Sequence, residues 1–267
     1  MRYPKGSLQL NQSRDLPLLR QILHAEYVTH SQLFEFARLN HFERSRKSFE
    51  WRVRRLVAGS LATRQTVPGC SGGCVYSVAA NGASLLQGMG EYCLVGSGKL
   101  NGKETERTVF HALELNEIQL SALRAGLLAR WISSMEIRSQ NELTQFGFAK
   151  DYDAVMTVRT GAGDSRFALE YERSPKPKRY YISTAAALDR EAHVRHVLYL
   201  ASNYDLLQFV SGFFRSSRCQ MFFGLVKDWH TQMLDMPVLC NVTTRSVRFS
   251  DTLDGAAKPF EPDAIAR

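Results

Sequence analysis

Three carboxylates, Asp153, Glu170 and Glu172, have the spacing that most directly suggests chemistry. Asp153 stands near the start of an alternating stretch, Tyr152-Asp-Ala-Val-Met-Thr-Val158. Glu170 and Glu172 close the next one, Arg166-Phe-Ala-Leu-Glu-Tyr-Glu172. Alternation predicts two strands, with a turn over Thr160 to Asp164. Residues two apart on a strand point to one face, so Glu170 and Glu172 share a side. Antiparallel pairing would bring the start of the first strand beside the end of the second. Three carboxylates gathered there can hold a hard divalent cation such as Mg2+ or Mn2+. Such a cation could activate water and stabilise a phosphoryl transition state. The competing reading is that these acids are solvated, or paired with the cations Arg173, Lys176, Lys178 and Arg179 that follow.

A second group suggests recognition of an anion. Arg44, Ser45, Arg46, Lys47 and Ser48 precede and open a helix expected over Ser45 to Ala58, which also carries Arg52, Arg54 and Arg55. Phe49, Val53, Leu56 and Val57 take the core-facing spacing, leaving the cations for other faces. Gly59 is a natural stop. Two helices come before it. Leu18, Leu19, Ile22 and Leu23 form the stripe of the first. Thr29 followed by Gln32 is a capping-box pattern that starts the second, with Leu33, Phe34 and Ala37 buried. A strand over Leu61 to Val67, a tip over Pro68 to Gly73 and a return strand over Val75 to Val78 complete the region. Three helices and a β-hairpin make the plan of a winged helix-turn-helix, whose last helix enters the major groove by its N-terminal part. On that plan Arg44, Ser45, Arg46, Lys47 and Ser48 face the groove, and Arg52, Arg55 and Arg64 contact phosphates. The competing readings are a solvated helix face and a protein–protein module.

The remaining properties bound these expectations. The chain has 267 residues and a formal net charge of +8. Its length suggests two domains, and its charge suits an anionic partner. No apolar run reaches the ~18 residues of a membrane span. No secretory leader is read at the start, so a cytoplasmic location without membrane association is expected. The cysteines are Cys70, Cys74, Cys93, Cys219 and Cys240, and an odd count without export suggests reduced thiols. Cys70 and Cys74 flank three residues, and a zinc site would need two more ligands than stand nearby. The glycines of Asn81 to Glu106 read as a linker and lack a dinucleotide fingerprint.

Further on, helices are expected over Leu115 to Ile132, with Asn116 as its cap, over Ser183 to Ala201 and over Ser216 to Phe223. Short strands are expected at Met135 to Ile137, Leu206 to Val210, Val226 to Trp229 and Met236 to Cys240. The mixture indicates an α/β or α+β core. The domain expectation is therefore 14–80 for the winged helix-turn-helix, 81–106 for the linker, 107–250 for a second domain and 251–267 for a loose tail.

Three segments carry a resemblance: Arg52-Val-Arg-Arg-Leu-Val-Ala-Gly59, His111-Ala-Leu-Glu-Leu-Asn116, and Asp153 with Phe167-Ala-Leu-Glu-Tyr-Glu-Arg-Ser-Pro175. The combination resembles the replication-relaxation family of plasmid and integrative-element proteins. That resemblance implies a winged helix fused to a restriction-endonuclease-like mixed sheet flanked by helices. Such nuclease folds carry an Asp and then Glu-x-Lys. Asp153 and Glu170 match, but Glu172 stands where the lysine belongs, and Lys176 or Lys178 would have to supply it. The implied function is DNA binding in plasmid replication or transfer control, or transcriptional regulation, with double-stranded DNA as partner. A replication or conjugation protein and a second copy of the chain are further partners to consider. The alternative is a metal-dependent endonuclease or nickase.

Overall fold

The computed structural model describes residues 9–70, 72–91, 103–144, 147–215, 217, 219–241 and 246–253. Contacts divide the chain into two units. The first takes residues 1–126 and 132–154, the second residues 127–131 and 155–267.

In the first unit, α1 (Asp15–His24), β1 (Val28–Thr29), α2 (His30–Leu39) and α3 (Arg46–Ala58) precede a hairpin of β2 (Ala62–Thr66) and β3 (Cys74–Val78). Local chemistry sets these boundaries. Thr29 forms the expected capping box with Gln32, so α2 starts where its first free N–H groups find partners. Ser45 caps α3 and Gly59 ends it. The short strand β1 was not expected. It pairs Val28 with Tyr76 and Thr29 with Val75, giving an antiparallel sheet of order β1-β3-β2. Leu18, Ile22, Leu33, Phe36, Phe49, Val53 and Leu56 are buried together between the helices and this sheet. Burial of such side chains contributes roughly 1.5–3 kcal/mol each.

The helices α4 (Ala80–Gln87), α5 (Lys103–Arg124) and α6 (Ser134–Leu143) complete the first unit. Much of the expected linker is therefore α4 and the start of α5, and 92–102 lies outside the described residues. Asn116 does not cap a helix. It is buried within α5, where its Nδ2 donates to the Tyr27 carbonyl at 2.7 Å. Val109 and Leu113 of α5 pack on Val67, Cys70 and Val75, so α5 supports the hairpin. The short strand expected at Met135 is the first turn of α6, which starts at a capping box of Ser133 and Glu136.

The second unit is built on a mixed sheet flanked by helices. Its strands are β4 (Leu128–Ser133), β5 (Ala154–Thr160), β6 (Gly163–Glu172), β7 (His196–Ala201), β8 (Gln220–Leu225), β9 (Pro237–Cys240) and β10 (Ser246–Arg248), in the order β10-β9-β8-β7-β6-β5-β4. Strands β6, β7 and β8 run parallel, and β9 and β10 are antiparallel additions. The connections carry α7 (Lys178–Leu188), α8 (Tyr204–Ser211) and α9 (Val226–Gln232), with α10 (Phe249–Leu253) last.

Five expectations change here. The helix expected over Leu115 to Ile132 stops at Arg124, and β4 follows. The long helix expected over Ser183 to Ala201 is α7, a turn and then β7. Val197 to Ala201 are all buried, as a strand covered on both faces requires. Leu206 to Val210 is α8, because Asn203 caps it by accepting from the Leu206 N–H at 2.9 Å. Ser216 to Phe223 contributes strand β8, and Val226 to Trp229 belongs to α9.

Gly82 reports how closely α4 seats on the hairpin. A Cβ added there would penetrate the Leu61 carbonyl, a backbone group that cannot swing aside. Gly82→Ala is expected to destabilise the first unit by ~1–3 kcal/mol through overpacking, despite alanine's better helix propensity. Urea unfolding of the variant chain beside the parent checks the sign.

Candidate nucleic-acid interface

The turn before α3 is held by one buried carboxylate. Glu43 Oε1 accepts the N–H groups of Arg44 at 2.9 Å and Ser45 at 3.1 Å. Its Oε2 accepts from Ser48 Oγ at 2.6 Å and Arg52 Nε at 3.1 Å. Burial would raise this carboxyl's pKa, but the hydrogen bonds from Ser48, Ser45, Arg44 and Arg52 together outweigh burial and hold it at about 2. Arg52 also reaches α1, with Nη1 2.6 Å from Asp15 Oδ1. Arg52 thus bridges two carboxylates that are 2% and 6% exposed.

This geometry sorts the cations expected to meet an anion. Arg52 is an internal counter-ion, so its expected role as a phosphate contact is corrected. Ser45 is spent on the cap and Ser48 on Glu43. Arg55 lies 4.4 Å from the Trp51 ring centre and donates to the Gln9 carbonyl at 2.6 Å. Arg44, Arg46 and Lys47 are exposed at the start of α3. Arg64 is exposed on β2, where its Nε lies 3.3 Å from Cys74 Sγ.

Between α3, the start of α2 and the hairpin lies a cleft of about 570 Å³. Arg46, Arg54 and Arg64 line it with His30, Ser31 and Glu50. Glu50 is the acid of this lining, and its Oε1 is 3.4 Å from Arg46 Nε. His30 packs 4.9 Å from Phe49, and its pKa is lowered by burial, with Arg46 and Arg64 adding to the effect and Glu50 opposing it. The neutral imidazole leaves the arginines as the cleft's cations.

Of this surface, Arg54 was counted among the helix's cations without being given a contact, and Trp51 was not named. At 3.6 residues per turn, burial of Phe49, Val53 and Leu56 turns Lys47, Trp51, Arg54 and Ala58 outward as one row. That signal was present in the spacing, but the density of charge at the N-terminal end drew the reading there.

The carboxylates of the other candidate site are differently engaged. Asp153 belongs to the first unit, where its Oδ1 is 3.1 Å from His111 Nε2. Glu170 and Glu172 are buried near the end of β6 in the second unit. Lys176 Nζ lies 2.9 Å from Glu172 Oε1 and 4.4 Å from the Tyr180 ring centre. Burial opposes the charge on Lys176, but Glu172, Tyr180 and Glu170 outweigh it and raise its pKa. Lys178 is exposed at the first turn of α7. Among the described residues, no group of three or more His, Cys, Asp and Glu side chains could hold a metal ion. With an ammonium already on Glu172, the residues present do not fit a divalent cation. Cys70 and Cys74 are buried thiols, and Cys93 lies outside the described residues. Among the described residues, no helix is long and apolar enough to cross a membrane.

No family model, curated protein or solved structure matches this chain.

Two outcomes test the internal role of Arg52 and Glu43. Arg52→Ala leaves Asp15 and Glu43 buried without the guanidinium and is expected to cost ~3–5 kcal/mol. Arg54→Ala, on the exposed row, should stay within ~0.5 kcal/mol, both read by chemical unfolding. Because folding lowers the Glu43 pKa, its contribution is complete above the ordinary value of 4.5 and is lost as pH falls toward about 2. Thermal unfolding across that window should show a steeper acid loss in the parent than in Glu43→Gln.

Proposed function

We propose that the first unit is a winged helix-turn-helix that binds double-stranded DNA, with α3 as the recognition helix and the β2–β3 hairpin as the wing. The observation that carries this reading is the set of exposed cations around one cleft, Arg46 and Arg54 from α3 and Arg64 from the hairpin. Arg44 and Lys47 extend it at the helix start. The chemistry follows from those positions. Guanidinium groups on both walls can grip one phosphate backbone, which fixes register without reading sequence. The outward row of α3 is then presented to base edges in the major groove. The net charge of +8 adds a long-range attraction for DNA.

The order of elements agrees with this reading: three helices, with β1 added to the hairpin as a third strand. The second unit, on the same proposal, is a nuclease-like sheet kept for binding. Its Lys176–Glu172 pair supports a structural use of the carboxylates. The resemblance of Arg52 to Gly59, His111 to Asn116 and Phe167 to Pro175 to replication-relaxation proteins suggests the setting, which is control of plasmid replication or transfer, or of transcription. A replication or conjugation protein would be the natural second partner there.

Fluorescence anisotropy with a labelled random-sequence duplex tests the interface. Neutralising Z phosphates gives a salt slope of about −0.9Z. The combined variant Arg46→Ala, Arg54→Ala, Arg64→Ala is expected to bind at least ten-fold more weakly at ~0.1 M salt, with a slope shallower by about 2–3. Unchanged affinity and slope would sink the proposal.

A further inference from the structure

Trp51 is the apolar member of an otherwise cationic row. Its side chain is 51% exposed, unusual for an indole, and it stands between Lys47 and Arg54 on the outward face of α3. It is also in contact with two arginines. Arg55 lies 4.4 Å from the ring centre and Arg52 5.9 Å from it. Arg52 is itself tied to Asp15 and Glu43, and Arg55 to the Gln9 carbonyl. Anchored guanidinium groups thus lie against the ring, about half of whose surface stays exposed.

On the reading of α3 as the helix that enters the groove, this row meets base edges. The major groove offers hydrogen-bond donors and acceptors at every pair but one apolar group, the thymine C5-methyl. A cation in the row can find a phosphate or a guanine edge. An indole has a single N–H donor, and most of its exposed surface is an apolar ring whose desolvation is favourable against something apolar. From this we infer that Trp51 is a specificity-determining residue that contacts thymine methyl groups and gives the protein a preference for T-containing steps under the middle of α3. Lys47 and Arg54, one turn either side, supply the polar and phosphate contacts that bracket it. An exposed indole can also dock a protein partner, but its place between two cations favours DNA.

The test is a selection of duplexes from a library with a randomised centre, followed by replacement of thymine with deoxyuridine in the enriched duplex. This removes only the methyl groups. The intact parent chain should lose about four-fold in affinity for each contacted methyl, the worth of one buried methyl group. Trp51→Ala should bind thymine and uracil duplexes alike while keeping the parent's salt slope, and Trp51→Phe should retain part of the discrimination. If the parent does not discriminate, or if Trp51→Ala discriminates as the parent does, the inference is wrong although DNA binding stands. Trp51→Ala that binds the enriched duplex as tightly as the parent does would also overturn it, and would assign the indole to a protein partner. Should the parent bind duplexes without enriching any, this inference falls while DNA binding stands; should it bind none, the DNA-binding reading falls with it.

Discussion

The guanidinium of Arg52 sits between Asp15 and Glu43, two carboxylates that the fold withdraws from water. A guanidinium withdrawn this far from water needs carboxylates to meet it, and these two do so from different directions. The bridge joins the first turn of α1 to the middle of α3 and to the turn that precedes α3. It therefore fixes both the tilt of α3 and the place where that helix begins. Every feature of the proposed interface depends on this, since the outward row and the cleft are defined by how α3 lies against α1 and the hairpin. A planar, forked cation is needed at that position. Lysine offers a point charge that cannot serve two carboxylates in two directions.

Much of the first unit was legible in the sequence because its signals are local. The Thr29–Gln32 box, the Gly59 stop and the glycine-bearing tip each act within a few residues. What was not legible was which cations are consumed inside. Arg52, Arg54 and Arg55 look alike in a list of residues. Only the pairing of Arg52 with Asp15, far away in sequence, separates the internal cation from the exposed Arg54. Trp51 was passed over for a related reason, because charge is conspicuous in a sequence and exposure is not.

The second unit was harder to read. Strands β6, β7 and β8 are central and parallel, so both faces are covered and the period-two signal disappears. His196 to Ala201 then looks like the continuation of a helix, and Leu206 to Val210 like a strand. Asn203 could have settled the latter as a cap ahead of an apolar run. The turn between β5 and β6 was legible all the same, and the carboxylates fell near the ends of these strands as expected. Their partners could not be foreseen. Lys176 reaches back to Glu172 across the bend at Arg173 and Ser174 that follows β6.

That ion pair also carries an asymmetry that matters over many generations. Lys176 is 35% exposed and can turn its ammonium to water if Glu172 is replaced by a neutral residue. Glu172 is 1% exposed and has no such retreat if the lysine goes first. Drift can therefore pass easily through the loss of the acid and only with difficulty through the loss of the base. A lineage that abandons this pair is steered by the fold into giving up Glu172 before Lys176, so the lysine would outlast the carboxylate that it serves.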